Sequence, residues 1–191
     1  TNHPLYAISL SNMGIFYSQQ NRYEEAEALY LEALEIIKHN KDIRYLMSIQ
    51  NNLASLYQKV YRYQDSERLY LELIATQKKI LGETHAQLAK TYSNLSVLYV
   101  RMKEYEKAEK LSLIALDIRK KALGDKHPLV ANTMNSLASI YLEDYQREKA
   151  EMYYKKSIAI TRSTLGPQHS TLCKPLQNLA NLYQAVGRYD E

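Results

Sequence analysis

The apolar positions of this chain obey a helical period locally and a much longer period globally. Within residues 86–102, Leu88, Tyr92, Leu95, Leu98, Tyr99 and Met102 recur at steps that place them on one side of a helix. The next segment, Tyr105 to Leu123, carries a second stripe: Ala108, Leu111, Ala115, Ile118 and Ala122. Two helices facing each other through these stripes are the expected unit, and that unit recurs. Asn94-Leu95-Ser96-Val97-Leu98-Tyr99 has counterparts in Asn12-Met13-Gly14-Ile15-Phe16-Tyr17, Asn52-Leu53-Ala54-Ser55-Leu56-Tyr57, Ser136-Leu137-Ala138-Ser139-Ile140-Tyr141 and Asn178-Leu179-Ala180-Asn181-Leu182-Tyr183. Successive copies begin 40, 42, 42 and 42 residues apart. A fixed period in this range marks a stacked repeat array rather than a closed globule.

Two further signatures run in step with the first. Arg22-Tyr23-Glu24-Glu25-Ala26-Glu27 recurs at Arg62, Glu104 and Gln146, and its fifth copy begins at Arg188. Leu81-Gly82, Leu123-Gly124 and Leu165-Gly166 each lead into a histidine (His85, His127, His169), and the chain opens in the same register at His3-Pro4. The glycines stand where a positive-φ residue ends a helix, and Pro4 and Pro128 where proline starts one. Small residues at Gly14, Ala54, Ser96, Ala138 and Ala180 are expected to meet Ala26, Ser66, Ala108 and Ala150 across each helix pair. The first unit lacks the Leu-Gly turn, which predicts a shorter loop with Ile43 in the place of histidine.

The expected organisation is one array with units at about 3–42, 43–84, 85–126, 127–168 and a partial unit at 169–191, whose helix runs from Thr171 to Val186. The fifth unit stops four residues into its second helix, and no polar caps of the kind solenoids need are visible. The chain therefore reads as a window from a longer array or a multidomain protein.

Asn-Leu-Ala-x-x-Tyr followed by alanine nine residues later, as in Tyr99 to Ala108, resembles the tetratricopeptide repeat (TPR). The usual unit has 34 residues; the longer unit here, closed by Leu-Gly-x-x-His-Pro, resembles the repeats of kinesin light chain-type arrays. The resemblance implies an all-α, right-handed α-α superhelix, a TPR solenoid of stacked antiparallel helix pairs, and non-catalytic binding of an extended peptide or partner surface along the first helices.

On that implied concave face the third unit presents Lys90, Asn94, Val97 and Arg101. Equivalent positions are Ser48, Asn52, Ser55 and Lys59; Asn132, Ser136, Ser139 and Glu143; Lys174, Asn178, Asn181 and Ala185; and Ile8, Asn12, Ile15 and Gln19, with Asn51 and Asn135 adjoining. The candidate groove is thus Asn12, Asn51, Asn52, Ser55, Lys59, Lys90, Asn94, Val97, Arg101, Asn132, Asn135, Lys174, Asn178 and Asn181. Asparagine donates and accepts, so it can satisfy a peptide backbone whatever its side chains. Cations outnumber Glu143 there, which points to a ligand of acidic character. The other reading of the chain is a regulatory or sensor TPR arm of a larger enzyme, such as a signalling ATPase.

Composition narrows the alternatives. A net charge of +4 is too mild for a nucleic-acid or membrane-surface binder. No apolar run approaches the ~20 residues of a spanning helix. The single cysteine, Cys173, suits a reducing compartment, so a cytoplasmic location is expected. The 18 tyrosines mostly recur with the repeat and read as packing, while Tyr45, Tyr61 and Tyr145 fall outside the pattern and are expected at the surface. The four spaced histidines lie in different units, so they read as helix caps rather than metal ligands. No phosphate loop, nucleophile elbow or His-Glu-x-x-His motif is present, so neither an enzyme nor a cofactor is expected.

Overall fold

The computed structural model describes residues 3–40, 42–185 and 187, and among these every regular element is helical. The chain divides into two compact units, Thr1–Glu83 and Thr84–Glu191. The first holds α1 (Pro4–Gln19), α2 (Tyr23–Asn40), α3 (Ile43–Lys59) and α4 (Tyr63–Leu81). The second holds α5 (Ala86–Arg101), α6 (Tyr105–Leu123), α7 (Pro128–Glu143), α8 (Arg147–Leu165), a 3-10 turn (Ser170–Leu172) and α9 (Cys173–Ala185). No helix among the described residues is long and apolar enough to cross a membrane.

In each unit consecutive helices pack on one another, and odd-numbered neighbours also touch: α1 with α3, α5 with α7, and α7 with α9. The α5 stripe is buried as expected, with Leu88, Leu95 and Leu98 fully so, while Met102 is half-buried. The α6 stripe needs correction. Ser112 and Leu116 are buried, whereas Leu111 is only half-buried and Ala122 is exposed. The reason is that α6 is covered by α5 on one side and α7 on the other, so its buried arc is wider than one stripe and differently centred.

Small residues set the helix-pair distance. Ser66 Oγ donates to Ala54 O at 2.7 Å, and Ser96 Oγ to Ala108 O at 2.8 Å, bonds that only a close approach allows. A Cβ at Gly14 would stand 2.7 Å from Cε1 of the buried Tyr30 ring. Ala180, by contrast, is exposed, and no second helix faces it among the described residues. The expected helix start at Arg188 and helix end at Val186 both lie outside them.

Two kinds of corner join the helices. Asn21, Tyr61, Lys103 and Tyr145 take φ of 61, 62, 61 and 59°. The N–H of the following residue then reaches back to the carbonyl of Tyr17, Tyr57, Tyr99 or Tyr141 at 2.8–3.0 Å, a Schellman closure made without glycine. This places Tyr61 and Tyr145 at 75% and 85% exposure, and Tyr45 is exposed as well. At the other corner, Gly82, Gly124 and Gly166 combine φ of 83, 84 and 92° with extended ψ of 165, 157 and 161°. That region is essentially closed to side-chain-bearing residues.

The irregular corners have local causes. Between α2 and α3 the loop is shorter, and Asp42 caps α3, its Oδ1 accepting from the N–H groups of Arg44 and Tyr45. Ile43 therefore lies inside the helix. Before α9, the first turn separates as 3-10 because Pro175 has no N–H to donate to the Thr171 carbonyl.

A repeated tyrosine links successive pairs. Tyr57 OH donates to Glu27 Oε1 at 2.8 Å, Tyr141 OH to Glu109 at 2.7 Å and Tyr183 OH to Glu151 at 3.0 Å. A cation covers each ring: Arg62 lies 4.1 Å from the Tyr57 centroid, Lys149 5.0 Å from Tyr141 and Lys155 5.7 Å from Tyr183. Burial, reinforced by the Glu27 carboxylate, pushes the Tyr57 phenol up to about 12. Tyr141 is raised for the same two reasons, with Glu109 as its carboxylate. At the α6–α7 junction the guanidinium of Arg119 donates to Thr133 Oγ1, and burial lowers its pKa.

Candidate functional site

In the second unit the first helices of three successive pairs, α5, α7 and α9, lie side by side and enclose a cleft of about 300 Å³. Its apolar floor is Val97, Val100 and Ile140, with Val97 47% exposed. Asn94 and Asn135 supply amides, and Glu143 and Lys174 are its charged residues. The serines that line it are mostly turned back on their own helices. Ser93 Oγ donates to Ala89 O at 2.9 Å, Ser136 to Asn132 O at 3.1 Å and Ser139 to Asn135 O at 3.2 Å. Asn135 Oδ1 is buried and accepts no hydrogen bond from a described residue. An amide oxygen left in this state costs about 1–3 kcal/mol, which a turn of the amide toward an incoming N–H would recover.

Four of the expected groove residues, Asn94, Val97, Asn135 and Lys174, come together in this cleft. Ser136, Ser139 and Glu143 join them from the same helical register. The remaining candidates fall elsewhere. In the first unit Asn52 Nδ2 donates to Ser11 Oγ at 3.5 Å and Lys59 Nζ to Ser18 Oγ at 3.1 Å, so both tie α3 to α1. Ser55 bonds the Tyr70 hydroxyl, Asn51 is half-buried, and Asn12 is exposed on α1. In the second unit Lys90, Arg101 and Asn132 are exposed outside the cleft lining. Asn178 bonds the Tyr154 hydroxyl, and Asn181 Oδ1 accepts from Gln177 at 2.8 Å. The excess of cations counted along the sequence is therefore not gathered in one place: the cleft holds one cation and one anion.

The histidines cap helices. Nδ1 of His3, His85, His127 and His169 accepts the N–H of Leu5, Gln87, Leu129 and Thr171 at 3.2, 3.2, 3.1 and 3.3 Å. Each imidazole thus satisfies one of the orphan donors at a helix start. Among the described residues no three potential ligands converge on a metal position.

Comparison with solved structures finds the same helical architecture in BtubC (BKLC) from P. vanneervenii, at TM-score 0.83 and 23% identity over 94% of this chain and 72% of that one. It also finds a Podosopora anserina kinesin light chain-type protein with nearly identical TPR-like repeats, at TM-score 0.81 and 25% identity over 98% and 90%. A form of the latter with one residue substituted matches at TM-score 0.81 and 25% identity over 97% and 89%. A comparison with curated protein sequences found no match. The family description "Tetratricopeptide repeat" matches residues 1–39, 45–112 and 97–162. With more than half its length matched, and with the helix pairs, small-residue contacts and capped corners that the motif requires, the chain belongs to the tetratricopeptide repeat family.

Proposed function

We propose that this chain is a protein-interaction module that holds an extended peptide in the cleft formed by α5, α7 and α9. The observation that carries this reading is the convergence there of an apolar floor, two asparagine amides and a buried amide oxygen without a donor. An extended strand has no internal hydrogen bonds, so its backbone N–H groups need acceptors, and a turn of the Asn135 amide toward the cleft would supply its Oδ1 as one. Val97, Val100 and Ile140 would take the apolar side chain that faces the same way. The kinesin light chain-type relatives are compatible with such a role.

The test is a random peptide display library panned on the whole chain, with affinities of the enriched peptides measured on wild type, Val97→Arg and Asn135→Ala. Val97 is exposed, so arginine there fills the cleft without disturbing the core. Loss of binding in Val97→Arg with an unchanged melting temperature supports the proposal. Enriched peptides that bind both variants as well as wild type would place the site elsewhere.

A further inference from the structure

The cleft has a charge at each end. Lys174 occupies the register of Asn132, 42 residues on, beside the start of α7, whereas Glu143 is the last residue of α7. The two registers are 11 residues apart, which at 1.5 Å per residue is about 16 Å along the helix. Both side chains line the cleft, both residues are exposed, and neither makes an ion pair with a described residue. Position 143 is also the one place where this register is acidic: its equivalents are Gln19, Lys59, Arg101 and Ala185.

Helix dipoles act in the same sense. The N-terminus of α9 lies at the Lys174 end and reinforces a positive potential; the C-terminus of α7 lies at the Glu143 end and reinforces a negative one. An extended peptide rises about 3.3 Å per residue and turns alternate side chains the same way, so residues four apart face the cleft together and span roughly 13 Å, the flexible charged side chains covering the rest. Resting on the peptide-binding reading above, we infer that the cleft selects a dipolar peptide, with an acidic residue at the Lys174 end and a basic residue four positions away at the Glu143 end. A uniformly acidic peptide would place a carboxylate against Glu143 and be rejected there by like-charge repulsion.

The experiment uses end-blocked, fluorescently labelled peptides on an uncharged, moderately apolar frame: Glu-x3-Lys, its reverse Lys-x3-Glu, Glu-x3-Glu, Lys-x3-Lys and the uncharged parent. One of the two mixed-charge orders is expected to bind about tenfold more tightly than either like-charged peptide. In the Glu143→Lys, Lys174→Glu double variant the favoured order should change to its reverse. In Glu143→Gln and in Lys174→Gln alone the discrimination should shrink. If the uncharged parent and all charged peptides bind equally, yet Val97→Arg abolishes binding, the cleft reading stands and the dipolar inference is overturned. If none of the five binds in a Val97-dependent manner, both fall. An order preference that survives the charge exchange would also overturn the inference.

Discussion

The hydroxyl of Tyr141 on α7 donates to Glu109 Oε1 on α6 at 2.7 Å, while Lys149 covers the same ring from α8. One side chain thereby joins three helices and two successive pairs. A hydrogen bond to a carboxylate contributes about 1.5–3 kcal/mol, so Tyr141→Phe should destabilise the chain by an amount of that order. A double-mutant cycle with Glu109→Gln in urea melts isolates the coupling. A coupling near zero would mean that the ring, not the hydroxyl, makes the link.

These tyrosines also set an alkaline limit. Tyr57 is pushed up to about 12 by burial and Glu27, and Tyr30 and Tyr70 to about 12, chiefly by burial. The folded state therefore keeps its phenols neutral above the ordinary tyrosine value of ~10. The stabilising contribution is complete below pH ~10 and is lost as pH rises from there towards about 12, because the unfolded chain ionises first. Denaturant midpoints should fall steadily across that window. Tyr57→Phe, less stable at neutral pH, should show a shallower fall.

Gly14→Ala tests the closeness of α1 and α2. In an open helix the change stabilises by about 1 kcal/mol, but here the new Cβ meets a buried ring at 2.7 Å. A net loss of roughly 1–3 kcal/mol is expected. Ala138→Leu, at a fully buried site facing α8, should lose at least as much. Thermal melts that match wild type would refute the packing.

The two corners should respond oppositely to glycine chemistry. Gly124→Ala has open space for its Cβ but forces alanine to φ 84°, ψ 157°, which costs about 1–3 kcal/mol. Tyr145→Gly relieves a tyrosine at φ 59° with 85% of its surface in water, and should stabilise by about 1 kcal/mol. Chemical denaturation of the two variants gives the signs directly.

The regular parts of this architecture were legible because the same physical requirement recurs at each period. The limits of α6, Tyr105–Leu123, follow from its recurring Tyr-Glu-Lys-Ala start and the glycine after it, and the histidines read as caps because their spacing left them no shared metal. What escaped was either local or non-periodic. Asp42 takes the cap one residue before Ile43, and Pro175 splits off a 3-10 turn. The wide buried arc of α6 depends on two neighbours that no single stripe can report. The tyrosine–glutamate link did have a signal, since Glu27, Glu109 and Glu151 repeat in step with Tyr57, Tyr141 and Tyr183. In the cleft, register identified which residues face one way but not which of them are spent on internal bonds. Asn52 and Lys59 hold α3 to α1, whereas Asn135 keeps an unused acceptor.

The contact of Arg119 with Thr133 bears on how such chains can be rearranged. The same register positions hold Ile37 and Ile49 in the first unit, both buried. A junction of two isoleucines and a junction of a desolvated guanidinium with a hydroxyl are not interchangeable surfaces. A recombinant that set α6 against α3 would press the Arg119 charge onto Ile49, a mismatch costing several kcal/mol. Repeats that look alike by motif are thus keyed at their seams, so duplication or shuffling of whole units is confined to those whose seam residues agree.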